Sequence, residues 1–94
     1  MAKVKSFKID GLDLFFNSND HRPEHFHARK SGAWEIRVYF VLSSQENGLI
    51  FDCKYPPNPQ ISSKEKNTIL KLVLENRSKL LDEWKQKVCI KEEQ

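Results

Sequence analysis

Apolar and polar residues alternate with a period of two through the first half of the chain, and recur at helical spacing through its last third. Val4, Phe7 and Ile9 set against Lys3, Lys5 and Lys8 make an imperfect strand pattern with one wet face. Asp10-Gly11 then predicts a tight hairpin turn, because both residues tolerate positive φ. Leu12, Leu14 and Phe16 share one face of the second strand, and pairing about the turn sets Ile9 opposite Leu12 and Phe7 opposite Leu14. Asn19-Asp20 with Pro23 shortly after is turn chemistry, and it places His21 on or beside a turn. Residues 24–29 read as extended, which sends His25, His27 and Arg29 to one face and Phe26 and Ala28 to the other.

Trp34, Ile36, Val38, Phe40 and Leu42 form an unbroken apolar stripe, the expected centre of the sheet. A three-residue loop over 30–32, with Gly32 left-handed, matches Ala28 to Trp34 and Phe26 to Ile36. It also places His27 opposite Glu35 and His25 opposite Arg37. Asn47-Gly48 signals another hairpin, joining Leu42 to Cys53 and Phe40 to Tyr55, with Leu49, Phe51 and Cys53 on the core face. The prolines over 56–61 make a stiff connector, since proline removes a ladder donor and restricts its predecessor. Ser62 to Glu65 reads as a capping box, and the helix over about 63–88 carries Ile69, Leu72, Val73, Leu80, Trp84 and Val88, widened by Leu70, Leu74 and Leu81. A bend is expected at residues 76–78, and 91–94 should fray. The reading is one α+β domain over 1–94: an antiparallel meander of four or five strands over about 3–55, with the C-terminal helix across its apolar face.

Composition narrows the classes without choosing among them. Ninety-four residues suit one core, and a 38% apolar and 31% charged make-up is ordinary for a globular protein. A formal charge of +3 permits an anionic partner but is weaker than the basic face of a dedicated nucleic-acid binder. The chain opens without a long apolar run, and Cys53 and Cys89 form no CxxC pair, so the expected setting is a reducing cytoplasm, away from membranes, with free thiols.

The candidate chemistry is concentrated in S-N-D-H-R-P-E-H-F-H-A-R at residues 18–29, which holds all three histidines. His25 and His27 at i and i+2 on a strand point the same way, so they can share one divalent metal such as zinc, with His21 arriving from the turn and Glu35 from the neighbouring strand. The cupin pattern would need a later carboxylate on the same strand, and the histidine-triad pattern a histidine where Arg29 stands; neither applies. A metal-free site would use His27 as base, Glu35 as its orienting carboxylate, and Arg29 or Arg37 to hold a phosphate. Asp20, Arg37, Tyr39 and Lys54 extend this face as a ligand or partner surface. The plainer alternatives are histidines that cap turns and bond to Asp20, Glu35 or backbone, and a solvated strand face that keeps the sheet soluble.

The histidine stretch, together with T-I-L-K-L-V-L-E-N-R-S-K-L-L-D-E-W at 68–84, resembles a bacterial family of small proteins known as a domain of unknown function. That family carries an N-D-H-x-P-x-H-F-H signature and a C-terminal L-K-L-V-L-E helix. The resemblance implies a module of a toxin–antitoxin-like gene pair, with a small protein from a neighbouring gene as partner; RNA or DNA is a further expected ligand, on the face that Tyr39 and Lys54 extend. The alternative is a metal-dependent or histidine-based phosphodiesterase acting on RNA through His21, His25 and His27.

Overall fold

The computed structural model describes residues 2–88 and holds a five-stranded sheet with one long helix. Strands β1 (Ala2–Lys3), β2 (Asp13–Phe16), β3 (Phe26–Lys30), β4 (Trp34–Val38) and β5 (Phe51–Tyr55) follow in chain order, each antiparallel to the next. Helix α1 (Ser63–Lys87) packs on the face formed by Leu14, Phe16, Phe26, Ala28, Trp34, Ile36 and Val38, and contributes Ile69, Val73, Leu80 and Trp84 to the same core. The expected meander and C-terminal helix are therefore present.

The start of α1 follows from its capping box. The Ser62 hydroxyl accepts from the Glu65 amide at 3.0 Å, and the Glu65 carboxylate accepts from the Ser62 amide at 3.0 Å. The bend expected at 76–78 falls at Asn76, whose φ of −121° leaves the helical region while its side-chain amide donates to the Leu72 carbonyl. Leu70, Leu72, Leu74 and Leu81 stay half-buried along the flanks of the stripe. Cys89 and residues 91–94 lie outside the described residues.

Three registers differ from those the sequence predicts, and polar contacts accompany each difference. The Asp10-Gly11 turn forms, with the Leu12 amide donating to the Ile9 carbonyl and Gly11 at φ +85°, but the ladder does not continue from it. Ala2 instead faces Phe16 and Lys3 faces Phe15. Residues 5 and 6 leave the ladder because Glu83 of α1 takes their donors: Oε1 accepts the Lys5 amide at 2.8 Å and Oε2 the Ser6 amide at 2.7 Å, with the Ser6 hydroxyl also bonded to Oε2. The β3–β4 loop is three residues long with Gly32 left-handed, as expected, but it spans 31–33, so Lys30 faces Trp34, Ala28 faces Ile36 and His27 faces Arg37. Closing the loop with an Ala33 amide bond to the Lys30 carbonyl fixes this two-residue shift.

β4 ends at Val38, and Leu42, expected in the core stripe, is 47% exposed. The chain turns over residues 39–43 around a buried Ser43, whose hydroxyl donates to the Tyr39 carbonyl and accepts from the Ile50 amide. Arg77 of α1 caps the Ser43 carbonyl. The Asn47-Gly48 turn closes no more than a Ser44–Gly48 bridge, and Cys53 pairs with Ile36 in place of Leu42.

Glu83 is the inward-facing carboxylate of α1, and the element it ties down is distant in sequence. Burial pushes its carboxyl up, but the bonds from Lys87, Ser6 and the Lys5 amide together outweigh this and hold it below the ordinary glutamate value. A depressed folded value stabilises the protein above the unfolded value and loses that stabilisation as pH falls through the folded one. Glu83→Ala is expected to cost about 2 kcal/mol in urea unfolding at pH 7, because two backbone amides lose their acceptor. The difference from wild type should shrink in unfolding curves taken below the ordinary glutamate range.

Candidate metal centre

The face of the sheet opposite α1 is the one that carries His27, and it is closed over. His27 is 2% exposed, His25 5% and Glu35 4%, so the solvated strand face allowed by the sequence is replaced by a buried polar layer. Phe15, directly opposite His27 on β2, stacks on its imidazole with centroids 5.0 Å apart and planes 8° from parallel. The Arg29 guanidinium lies over the Phe15 ring, 5.2 Å from its centroid. The alternation of β2 suggests the opposite for Phe15, because the sequence shows one apolar stripe through Leu14 and Phe16 and leaves Phe15 on the wet side; the aromatic at that position is the signal a second buried layer offers.

The turn after β2 brings the third polar group. The Asp20 amide donates to the Asn17 carbonyl at 3.0 Å and Asp20 Oδ2 accepts the Asn17 amide at 3.0 Å, which closes residues 17–20 into a tight loop. The loop aims the Asp20 carboxylate at both histidines. His27 Nε2 lies 3.0 Å from Oδ1 and 3.1 Å from Oδ2, and His25 Nε2 lies 3.5 Å from Oδ1. Ligand atoms of Asp20, His25 and His27 all fall within 4.8 Å of one another.

The far nitrogens of both rings are held from behind. His25 Nδ1 is 2.8 Å from the Pro23 carbonyl oxygen, which can only accept, so this nitrogen carries a hydrogen. In the neutral ring Nε2 is then a lone pair turned toward the Asp20 carboxylate. His27 Nδ1 stands 3.4 Å from Glu35 Oε2, and neither atom has a hydrogen-bond partner although both are buried. Lys54 on β5 reaches the same Glu35 oxygen at 3.3 Å. Half-buried Asp20 and buried Glu35 thus bring two carboxylates to the two imidazoles, with Lys54 on the Glu35 oxygen and Arg37 lining the same cleft.

These atoms fit a metal ion on three counts. Ligands about 2.0–2.1 Å from a zinc-sized ion stand roughly 2.8–3.4 Å from each other in octahedral or tetrahedral geometry; the 3.0 Å from Asp20 Oδ1 to His27 Nε2 falls in that range, while the 3.5 Å to His25 Nε2 and a set held within 4.8 Å mean that the ligands would draw together around an ion. Each metal-facing imidazole has its other nitrogen beside a carbonyl or carboxylate, the arrangement that fixes a ligand's tautomer. Two imidazoles and one carboxylate also leave coordination positions open.

The remaining candidates divide between this centre and its surroundings. A cleft of about 330 Å³ opens over it, lined by Asp20, His21, His25, His27, Arg37, Tyr39 and Lys54 among others. His21 is exposed in the wall of the cleft and is not among the converging ligand atoms, where Asp20 stands. Arg29 turns to Asp13 at 3.4 Å and does not line the cleft. Arg37 and Tyr39 both bond to Asp52, at 2.8 and 2.7 Å, an anchor that sequence reasoning did not single out. Burial raises Asp52, but the bonds from Tyr39 and Arg37 together prevail and hold its carboxyl below the ordinary value. Burial, then the bond to Asp52, push the Tyr39 phenol up.

No helix among the described residues is long and apolar enough to cross a membrane. Neither the curated proteins nor the solved structures contain a match to this chain. A family model does match: residues 11–85, which span the histidine stretch, the whole of β2 to β5 and nearly all of α1, fit the family described as domain of unknown function DUF4160, and the chain belongs to that family.

Proposed function

We propose that Asp20, His25 and His27 bind one divalent transition-metal ion and that the protein is a metal-dependent phosphodiesterase acting on RNA. The observation that carries the reading is the convergence of one carboxylate and two Nε2 atoms within 4.8 Å, with Pro23 O and Glu35 behind the rings. Zinc is the expected metal for this donor set, with iron(II) next. A metal there supplies Lewis-acid polarisation of a phosphoryl oxygen and a more acidic water. The chain's part is to present the two imidazoles, that of His25 with its tautomer set by the Pro23 carbonyl, to keep Glu35 behind His27, and to hold an anion in the cleft. In the net reaction water adds to phosphorus, the ester P–O bond breaks, and the departing alcohol takes up the proton that water gives up. His21, exposed on the rim, belongs to the cleft wall in this reading.

A second reading makes the protein the partner-binding module of a toxin–antitoxin-like gene pair in the cytoplasm. Its support is the adjacent exposed pair Val41 and Leu42, at 40% and 47%, on a turn whose backbone is otherwise firmly bonded, and the free thiol of Cys53 suits a reducing compartment.

Elemental analysis of untagged protein should find near-stoichiometric metal that is lost in the His25→Ala/His27→Ala double variant; protein that stays metal-free after incubation with zinc, nickel, iron and manganese would remove the centre. Glu35→Gln is expected to weaken zinc binding about 10- to 100-fold in a competition titration, since it unsettles the ring of His27 rather than removing a ligand. Cleavage of a labelled RNA should disappear on chelation and in Asp20→Ala. Capture of a co-expressed neighbouring protein that is lost in Leu42→Glu and kept in the histidine variants would favour the second reading.

A further inference from the structure

The cleft has two chemically different walls. One is the cluster of Asp20, His25 and His27; the other is built by β4 and β5, where Arg37 stands directly opposite His27 and Asp52 directly opposite Arg37. Asp52 is spent on that wall: Oδ1 accepts from Arg37 Nη1 at 2.8 Å and Oδ2 from the Tyr39 hydroxyl at 2.7 Å. The guanidinium is thereby held in place before any ligand arrives, and its planar fork has five N–H donors, of which this bond uses one. Lys54, two residues beyond Asp52 on β5, brings a second cation to the same cleft with 44% of its side chain exposed. A third cation on this face of the sheet, Arg29 of β3, is taken up by Asp13 and the Phe15 ring.

We propose that Arg37, braced by Asp52 and assisted by Lys54, is an anion subsite that takes one phosphate group of a nucleotide-sized ester and sets it against the Asp20, His25 and His27 ligand atoms. The assignment of the ester as substrate rests on the metal reading; the contact between Arg37 and phosphate does not. A cleft of about 330 Å³ is at the small end of ligand sites, which run from roughly 300 to 1,000 Å³, and takes about one nucleotide unit at a time. Pre-ordering by Asp52 matters because an arginine already fixed loses less side-chain freedom on binding. A guanidinium meets a phosphate through two parallel N–H donors, which a lysine at the same position cannot reproduce.

The test is calorimetric titration of adenosine 5′-monophosphate, and separately of inorganic phosphate, into the full chain with and without zinc. Wild type should bind the nucleotide more tightly than inorganic phosphate, Arg37→Met should weaken nucleotide binding at least about tenfold in both metal states, and Arg37→Lys should recover only part of it. Asp52→Asn should weaken binding several-fold while zinc affinity stays that of wild type in all three variants. Nucleotide binding unchanged in Arg37→Met, or inorganic phosphate bound as tightly as the nucleotide, would overturn the subsite. Loss of nucleotide binding in Arg37→Met in a protein that takes up no zinc would leave the subsite standing and remove the metal, so the two claims fail separately.

Discussion

The contact between the Asp20 carboxylate and the two Nε2 atoms is the constraint on which the candidate site depends. It joins a loop to a strand across ordinary hydrogen-bond distances, in a layer where His25 and His27 are almost free of solvent. Polar groups in such surroundings are costly unless each has a partner. Most of the neighbouring structure supplies one: the Asn17 amide to Asp20, the Pro23 carbonyl to His25, and Lys54 to Glu35. What is left over, a lone pair on His25 turned toward a carboxylate and a His27–Glu35 contact that is close without being bonded, is what a bound cation would resolve.

A sheet buried on one face by a helix ordinarily leaves its other face to water. Here Phe15 and Arg29 cover that second face at the β2–β3 end, and an Arg37–Asp52–Tyr39 group covers it at the β4–β5 end. The cleft lies between these covers. Position, rather than any single unusual residue, gives the centre its combination of buried ligands and open access.

Much of this was legible in the sequence, for a reason that also explains the errors. The strands follow a period of two, and the true β3–β4 and β4–β5 registers differ from the expected ones by two and by six residues, so the side chains of β3 and β4 keep their faces, while a bulge between Glu35 and Ile36 sets Tyr55 opposite Glu35 and away from the core. His27, Glu35 and Arg37 were therefore grouped correctly although their opposite numbers were not. The missed features are long-range polar contacts that no local pattern announces. Glu83 withdraws residues 5 and 6 from a ladder seventy-odd positions away, and Ser43 ends β4 by satisfying a turn where the apolar stripe would have continued. Asp20 is turn chemistry and also the expected bonding partner of the histidines, with His27 Nε2 at 3.0 Å from it and His25 Nδ1 on the Pro23 carbonyl; that it converges on both rings depends on the loop's closed shape.

The most direct measurement of the central claim is zinc-edge X-ray absorption on zinc-loaded protein freed of excess metal by gel filtration. Two imidazole scatterers and at least one further oxygen are expected at about 2.0–2.1 Å, with one imidazole lost in His25→Ala. A spectrum of oxygen ligands without imidazole, or zinc that does not stay with the protein through the column, would contradict it.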